Sequence, residues 1–135
     1  MTIHWHREWR QTMYSAMIKN SGNFQYHAEV KSYKFLMGQD GGNPIDVLVA
    51  SLCACIGHHA RDFLVEQKIV FSTLIVRADA SLAADKLSLS HISVKFELVD
   101  GQATDAQKKD LLRQAELCPI YNTINKSTEI ELSIH

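Results

Sequence analysis

The chain has 135 residues, 46% of them hydrophobic and 21% charged, which is the make-up of a soluble globular protein with room for one modest core. Its formal net charge of −1 gives no electrostatic footing for nucleic acid or an anionic membrane surface as a partner. No apolar run reads as a bilayer span, and Met1-Thr2-Ile3-His4-Trp5-His6 contains no signal-peptide core, so the expectation is a cytoplasmic protein with no membrane partner.

No repeat, low-complexity tract or linker divides the sequence, and residues 1–135 read as a single domain. The first half reads as strands. Phe24, Tyr26, Ala28 and Val30 alternate with Gln25, His27, Glu29 and Lys31, the period of a half-buried strand. Residues 11–19, rich in Met, Tyr and Ile, are placed to pair with it across the turn Asn20-Ser21-Gly22-Asn23. The glycines from Gly38 to Gly42 then break the sheet.

The period changes after them. Asn43 suits a helix cap, Pro44 the first helical position, and Asp46 the first turn, where an acid complements the dipole. Ile45–Gln67 contains no further proline and is apolar around its circumference as far as Gly57, which predicts a long, buried central helix. Strands return at Leu74–Ala78 and at Ile92–Val99, with Leu82–Asp85 between them. Thr104 and Gln107 form a capping box that opens a surface helix from Asp105 to about Leu117. Pro119 interrupts that helix, and Cys118-Pro119 starts a short one through Ile124. Ile130, Leu132 and Ile134 alternate with polar residues in a predicted last strand. The order of strands, buried helix, strands, helices and strand makes the fold class α+β.

Three cysteines are too few, and odd in number, for a disulfide framework, so reactivity is the question they raise. Cys55 lies about three turns into the central helix, with Ser51, Leu52, His58 and His59 on its face. A nearby imidazole can favour the reactive thiolate, although histidines there equally mark the point where a helix meets water. Cys53 is roughly 200° around the same helix and cannot bridge to Cys55, so it reads as packing. Cys118 precedes a proline at a helix start, where free amides favour a thiolate; a half-buried cysteine at a kink fits the same residues.

Two segments carry a family resemblance. Asn43-Pro44-Ile45-Asp46-Val47-Leu48-Val49-Ala50-Ser51-Leu52-Cys53-Ala54-Cys55 resembles the signature of the OsmC/Ohr family (osmotically inducible protein C and organic hydroperoxide resistance). Cys118-Pro119-Ile120-Tyr121-Asn122 resembles its second motif, and the order of elements covers nearly the whole chain. The resemblance implies an intertwined homodimer with antiparallel strands around paired central helices. It also implies a thiol peroxidase for organic hydroperoxides. In that role Cys55 would be the peroxidatic thiolate and Cys118 the resolving thiol, with an external dithiol as reductant and neither cofactor nor metal. The departures point to an OsmC-like branch rather than Ohr proper. Where the Ohr branch carries a glutamate after Asn-Pro, this chain has Ile45, and neither Arg7 nor Arg10 aligns with the arginine that pairs with that glutamate.

Two other readings compete. A binding protein on the same fold would use Leu48, Ser51 and Leu52 to line an apolar pocket for a small ligand and leave Cys55 idle. Cys55, His58, His59 and Cys118 include zinc-type donors, as does His4-x-His6, but adjacent helical histidines diverge and no Cys-x-x-Cys is present.

Overall fold

The computed structural model describes residues 14–38 and 42–135, which divide between Val47 and Leu48 into two compact units. The segment holding His4, His6, Arg7 and Arg10 lies outside the described residues, as does the start of the predicted first strand.

The first unit is a three-stranded antiparallel meander of β1 (Met17–Lys19), β2 (Gln25–Val30) and β3 (Tyr33–Gly38). The predicted β1–β2 hairpin is present, with Ile18 opposite Ala28. Its turn is closed by Asn20, whose Nδ2 donates to the carbonyls of Asn23 and Gln25 at 2.9 Å. Sequence reading left β3 unassigned because its turn, Lys31-Ser32, has neither Gly nor Asn. Lys31 nevertheless adopts the left-handed backbone there, with φ 56°. Ala28 faces Phe35 across the second ladder and is buried, while Glu29 lies within 4 Å of both Lys19 and Lys34. At the end of β3, Gly38 has φ 124°, and a side chain there would collide with the Phe24 carbonyl.

Helix α1 (Pro44–Glu66) starts where the cap signals place it: Asn43 Oδ1 accepts the amides of Ile45 at 2.7 Å and Asp46 at 3.2 Å. Within one chain α1 is buried along one side only. Leu52, Ile56, Ala60 and Leu64, spaced by four, form one buried stripe, whereas Ile45, Leu48, Ala50, Ala54 and Val65 are exposed. One 135-residue chain has too few strands to sheathe both faces of a 23-residue helix. By length and composition α1 could cross a bilayer, contrary to the expectation of no such run, but its buried stripe faces the chain's own core.

In the second unit β4 (Thr73–Leu82) and β5 (Leu89–Val99) form an antiparallel hairpin, each longer than predicted, with a register shift at Ser81/Leu82. Gly57 of α1 comes close to β4, since a Cβ there would sit 3.4 Å from Val76. Helix α2 (Asp105–Arg113) carries the predicted capping box: Thr104 Oγ1 accepts the Gln107 amide at 3.1 Å, and Gln107 Oε1 accepts the Thr104 amide at 2.9 Å. Its last turn tightens into a 3₁₀ turn over Gln114–Leu117, and α3 (Pro119–Asn125) follows.

Two clusters make the core of this unit. One joins Ala60, Leu64, Ile69 and Leu111, ringed by Phe63, Phe71, Leu74 and Phe96. The other joins Leu52, Ile56 and Cys118. Each fully buried aliphatic side chain contributes about 1.5–3 kcal/mol.

The predicted last strand is absent. Residues 127–135 belong to no ladder, and Ile130, Leu132 and Ile134 are 78%, 92% and 95% exposed. Their alternation suits a strand, but a strand also needs a partner edge.

Candidate functional site: a thiol pair beside an apolar groove

The sequence of α3 explains how Cys118 is held. Pro119 at the first helical position has no amide to satisfy, and Cys118 stands before it in extended conformation (φ −82°, ψ 117°) as the cap. Its Sγ accepts the Tyr121 amide at 3.3 Å, and its carbonyl accepts the Asn122 amide at 3.0 Å. Asn122 Nδ2 donates to the Glu116 carbonyl at 3.0 Å and Thr123 Oγ1 to that of Pro119 at 2.7 Å, which ties the short helix to its surroundings. Cys118 itself is 0% exposed. Cys118 caps the helix, as its place before Pro119 suggested, but it is wholly rather than half buried, and that burial outweighs the amides expected to favour its thiolate.

Cys55, one turn beyond Leu52 on α1, packs against that buried cluster and is linked to Cys118 by a side-chain hydrogen bond. All three cysteines are free thiols. Burial pushes the Cys118 thiol above its ordinary range. The hydrogen bond to Cys55 and the charge Cys55 carries when ionised push the same way, against the smaller opposing effect of the Tyr121 and Ile120 amides. Cys118 is thus the enclosed thiol, and Cys55, partly exposed, is the one that an incoming molecule can reach. Cys53 is outside this cluster, and burial pushes its thiol up as well. The two cysteines singled out from sequence are brought together, and the third is kept apart.

The histidines do not join them. His58 is exposed and directs Nε2 to Asp62 Oδ2 at 3.5 Å, one turn onward, where Arg61 also binds Asp62 at 2.9 Å. His59 meets the His58 ring edge-on at 5.3 Å. Among the described residues, no group of three or more His, Cys, Asp or Glu is arranged to hold a metal.

Beside the thiols lies a groove of about 480 Å³. Leu48 and Leu52 of α1, Ile92 and Val94 of β5, and Tyr121 and Ile124 of α3 form its apolar walls, with Ser90, His91 and Asn125 as polar additions. Leu52, Ile92, Val94 and Tyr121 also pack in the Cys118 cluster, so groove and thiols share a wall. Leu48 and Leu52 line it as the sequence suggested; Ser51 does not. The contributions of β5 and α3 were not anticipated, because tertiary packing alone brings those segments to α1.

Comparison with known proteins decides the family. A model of the family described as "OsmC-like protein" matches residues 37–133, most of the chain. The chain belongs to the OsmC-like family. An OsmC-like protein from Mycoplasma pneumoniae superposes with a TM-score of 0.75 at 16% identity, over 84% of this chain and 88% of that one. An organic hydroperoxide resistance protein OsmC from Legionella pneumophila gives 0.63 at 21% identity, over 84% and 90%. OhrB of Bacillus subtilis, an organic hydroperoxide resistance protein, gives 0.55 at 19% identity, over 83% and 90%. At these identities the likeness to the OsmC-like solved structures is one of fold. No curated protein matches the sequence.

Proposed function

We propose that this OsmC-like protein is a thiol-dependent peroxidase that reduces organic hydroperoxides in oxidative stress defence. The observation that carries the reading is the pairing of a partly exposed Cys55 with a fully buried Cys118 in a cluster whose Leu52, Ile92, Val94 and Tyr121 also wall an apolar groove. The Cys55 thiolate attacks the terminal peroxide oxygen, the O–O bond breaks, and the alcohol leaves after taking up a proton. Cys55 is left as a sulfenic acid. Cys118 then attacks that sulfur, giving a disulfide and water, and an external dithiol reduces the pair. The groove favours a hydroperoxide with an apolar body over hydrogen peroxide, which has no apolar surface to bury. The fold of the solved relatives, two of which are named for organic hydroperoxide resistance, supports the same reading.

We further propose that the protein acts in the cytoplasm as a single-domain, intertwined homodimer. The uncovered face of α1 and the exposed Ile130, Leu132 and Ile134 are apolar surfaces of the kind an obligate interface removes from water. A monomeric mass by light scattering at micromolar concentration rules the dimer out.

The test of function is the initial rate with hydrogen peroxide and with tert-butyl hydroperoxide, under a dithiol reductant, for wild type, Cys55→Ser and Cys118→Ser. Cys55→Ser abolishes turnover. Cys118→Ser forms the sulfenic acid but no intramolecular disulfide. Peptide mapping of mildly oxidised wild type finds Cys55 joined to Cys118 and Cys53 reduced. Wild type that consumes neither peroxide refutes the enzyme reading and leaves the groove as the site of a non-catalytic small-ligand-binding protein, the second reading its apolar lining favours.

A further inference from the structure

The peroxidase reading leaves one proton unaccounted for. When thiolate displaces alkoxide from a hydroperoxide, the leaving oxygen carries negative charge, and a donor at that oxygen lowers the barrier. Cys118 is badly placed to supply it, being wholly buried in an apolar cluster. The histidines of α1 are turned to Asp62 and to each other.

Four residues bring polar side chains to the groove: Ser90, His91, Tyr121 and Asn125. Ser90 is occupied, since its hydroxyl donates to the carbonyls of Ser81 at 3.3 Å and Leu82 at 3.5 Å. His91 and Asn125 also line the groove. Tyr121 does two things at once: its side chain packs, as Cys55 does, on the cluster of Leu52, Ile56 and Cys118, and it walls the groove. Its backbone position is fixed by the same thiol, because its amide donates to Cys118 Sγ. The phenol hydroxyl makes no hydrogen bond to any described residue, and none of the buried side-chain oxygens or nitrogens among the described residues lacks a partner, so this hydroxyl is reachable from solvent. A tyrosine hydroxyl in that state has a donor to give.

We propose that Tyr121 is a catalytic residue of the reaction assigned to this site, donating its phenol proton to the alkoxide oxygen as the O–O bond breaks. The Cys55 sulfur forms its bond to the terminal oxygen, and the electron pair of the O–O bond goes to the alkoxide. That alkoxide takes the Tyr121 proton and leaves as alcohol, and the phenolate recovers a proton from water through the open groove. The inference rests on the peroxidase reading, and the test separates the two.

The experiment compares wild type with Tyr121→Phe, which keeps the ring in the cluster and removes only the hydroxyl. Consumption of tert-butyl hydroperoxide under a dithiol reductant gives kcat/KM, and iodoacetamide alkylation of Cys55 reports the nucleophile separately. The expected result is a fall in kcat/KM of about 10²-fold, the usual contribution of a positioned proton donor, with Cys55 alkylation unchanged. A series of hydroperoxides whose alcohols differ in acidity supplies the second measurement. Wild type depends weakly on that acidity and Tyr121→Phe depends steeply, a change that altered packing alone does not produce. Tyr121→Phe within threefold of wild type overturns the role of Tyr121 while leaving the peroxidase standing. A steep dependence in wild type overturns it even if the variant fails to fold. Wild type without Cys55-dependent turnover overturns both.

Discussion

Truncating Ile56 links the packing of the core to the chemistry of the site. Ile56 is 2% exposed and lies on the buried stripe of α1, in the same cluster as Cys118. Ile56→Val removes one methylene and costs about 1 kcal/mol; Ile56→Ala removes the rest of the branch and costs about 3 kcal/mol, including the cavity left behind. Cys118 is wholly enclosed, so an alkylating reagent reaches it only through an opening of this cluster. If that opening exposes Ile56 as well, 3 kcal/mol multiplies its population by roughly 100-fold, at tenfold per 1.4 kcal/mol. Urea denaturation gives the stability loss of each variant, and pulsed iodoacetamide labelling with peptide mass spectrometry gives the rates at Cys55 and Cys118. Labelling of Cys118 should rise in step with lost stability while labelling of Cys55 changes little. Native wild type in which Cys118 labels as fast as Cys55, or Ile56→Ala that accelerates both equally, refutes the assignment of one thiol as enclosed and the other as reachable.

Two further outcomes follow from groups already placed. Asn43→Ala removes the acceptor of the Ile45 and Asp46 amides and should cost about 1 kcal/mol in urea denaturation, whereas Asn43→Asp, which keeps an acceptor oxygen, should cost little. Burial raises both Cys118 and Cys53, so the folded chain keeps thiol protons that the unfolded chain loses near pH 8.5. Stability from these groups is therefore complete below that pH and is lost as pH rises above it, by at most about 1.4 kcal/mol per pH unit per thiol. The measurement is urea denaturation between pH 7.5 and 10, where Cys118→Ser should show a shallower decline than wild type.

Signals written in a few adjacent residues were legible without the structure. Asn43-Pro44-Ile45-Asp46 starts α1, Thr104 and Gln107 start α2, and Cys118-Pro119 starts α3, each because cap and first-turn chemistry is local. The period-two runs located β2 and β5 for the same reason. Features that depend on distant partners were not legible. Strand β3 follows a turn whose left-handed residue is a lysine, and the alternation at Ile130–Ile134 carries no information about which edge it would meet. At the site, Cys55 and Cys118 were found from sequence because the resemblance singled out both motifs. Tyr121 stands within the second motif, but its place beside both the Cys118 cluster and the groove exists only once α3 packs on α1 and β5. The histidines of α1 drew attention by spacing, and Asp62, the partner that turns His58 away, is one turn onward on the same helix.

The sheet pairings carry a consequence for how fast the chain acquires its shape. Among the described residues every ladder joins strands adjacent in sequence: β1 with β2, β2 with β3, and β4 with β5. Each therefore closes a short loop, and hairpins of this kind form in about 1–10 μs. Chains whose contacts are mostly local also fold faster than those that must find distant strands. In the second unit the sequence-distant steps are the seating of Leu52, Ile56, Ala60 and Leu64 on the β4–β5 hairpin and the arrival of Cys118 from the far end of the chain. The contacts of Cys118 with Leu52, Cys55 and Ile56 span far more chain than either strand of the hairpin, so the thiols meet late, after the hairpins that frame them have formed.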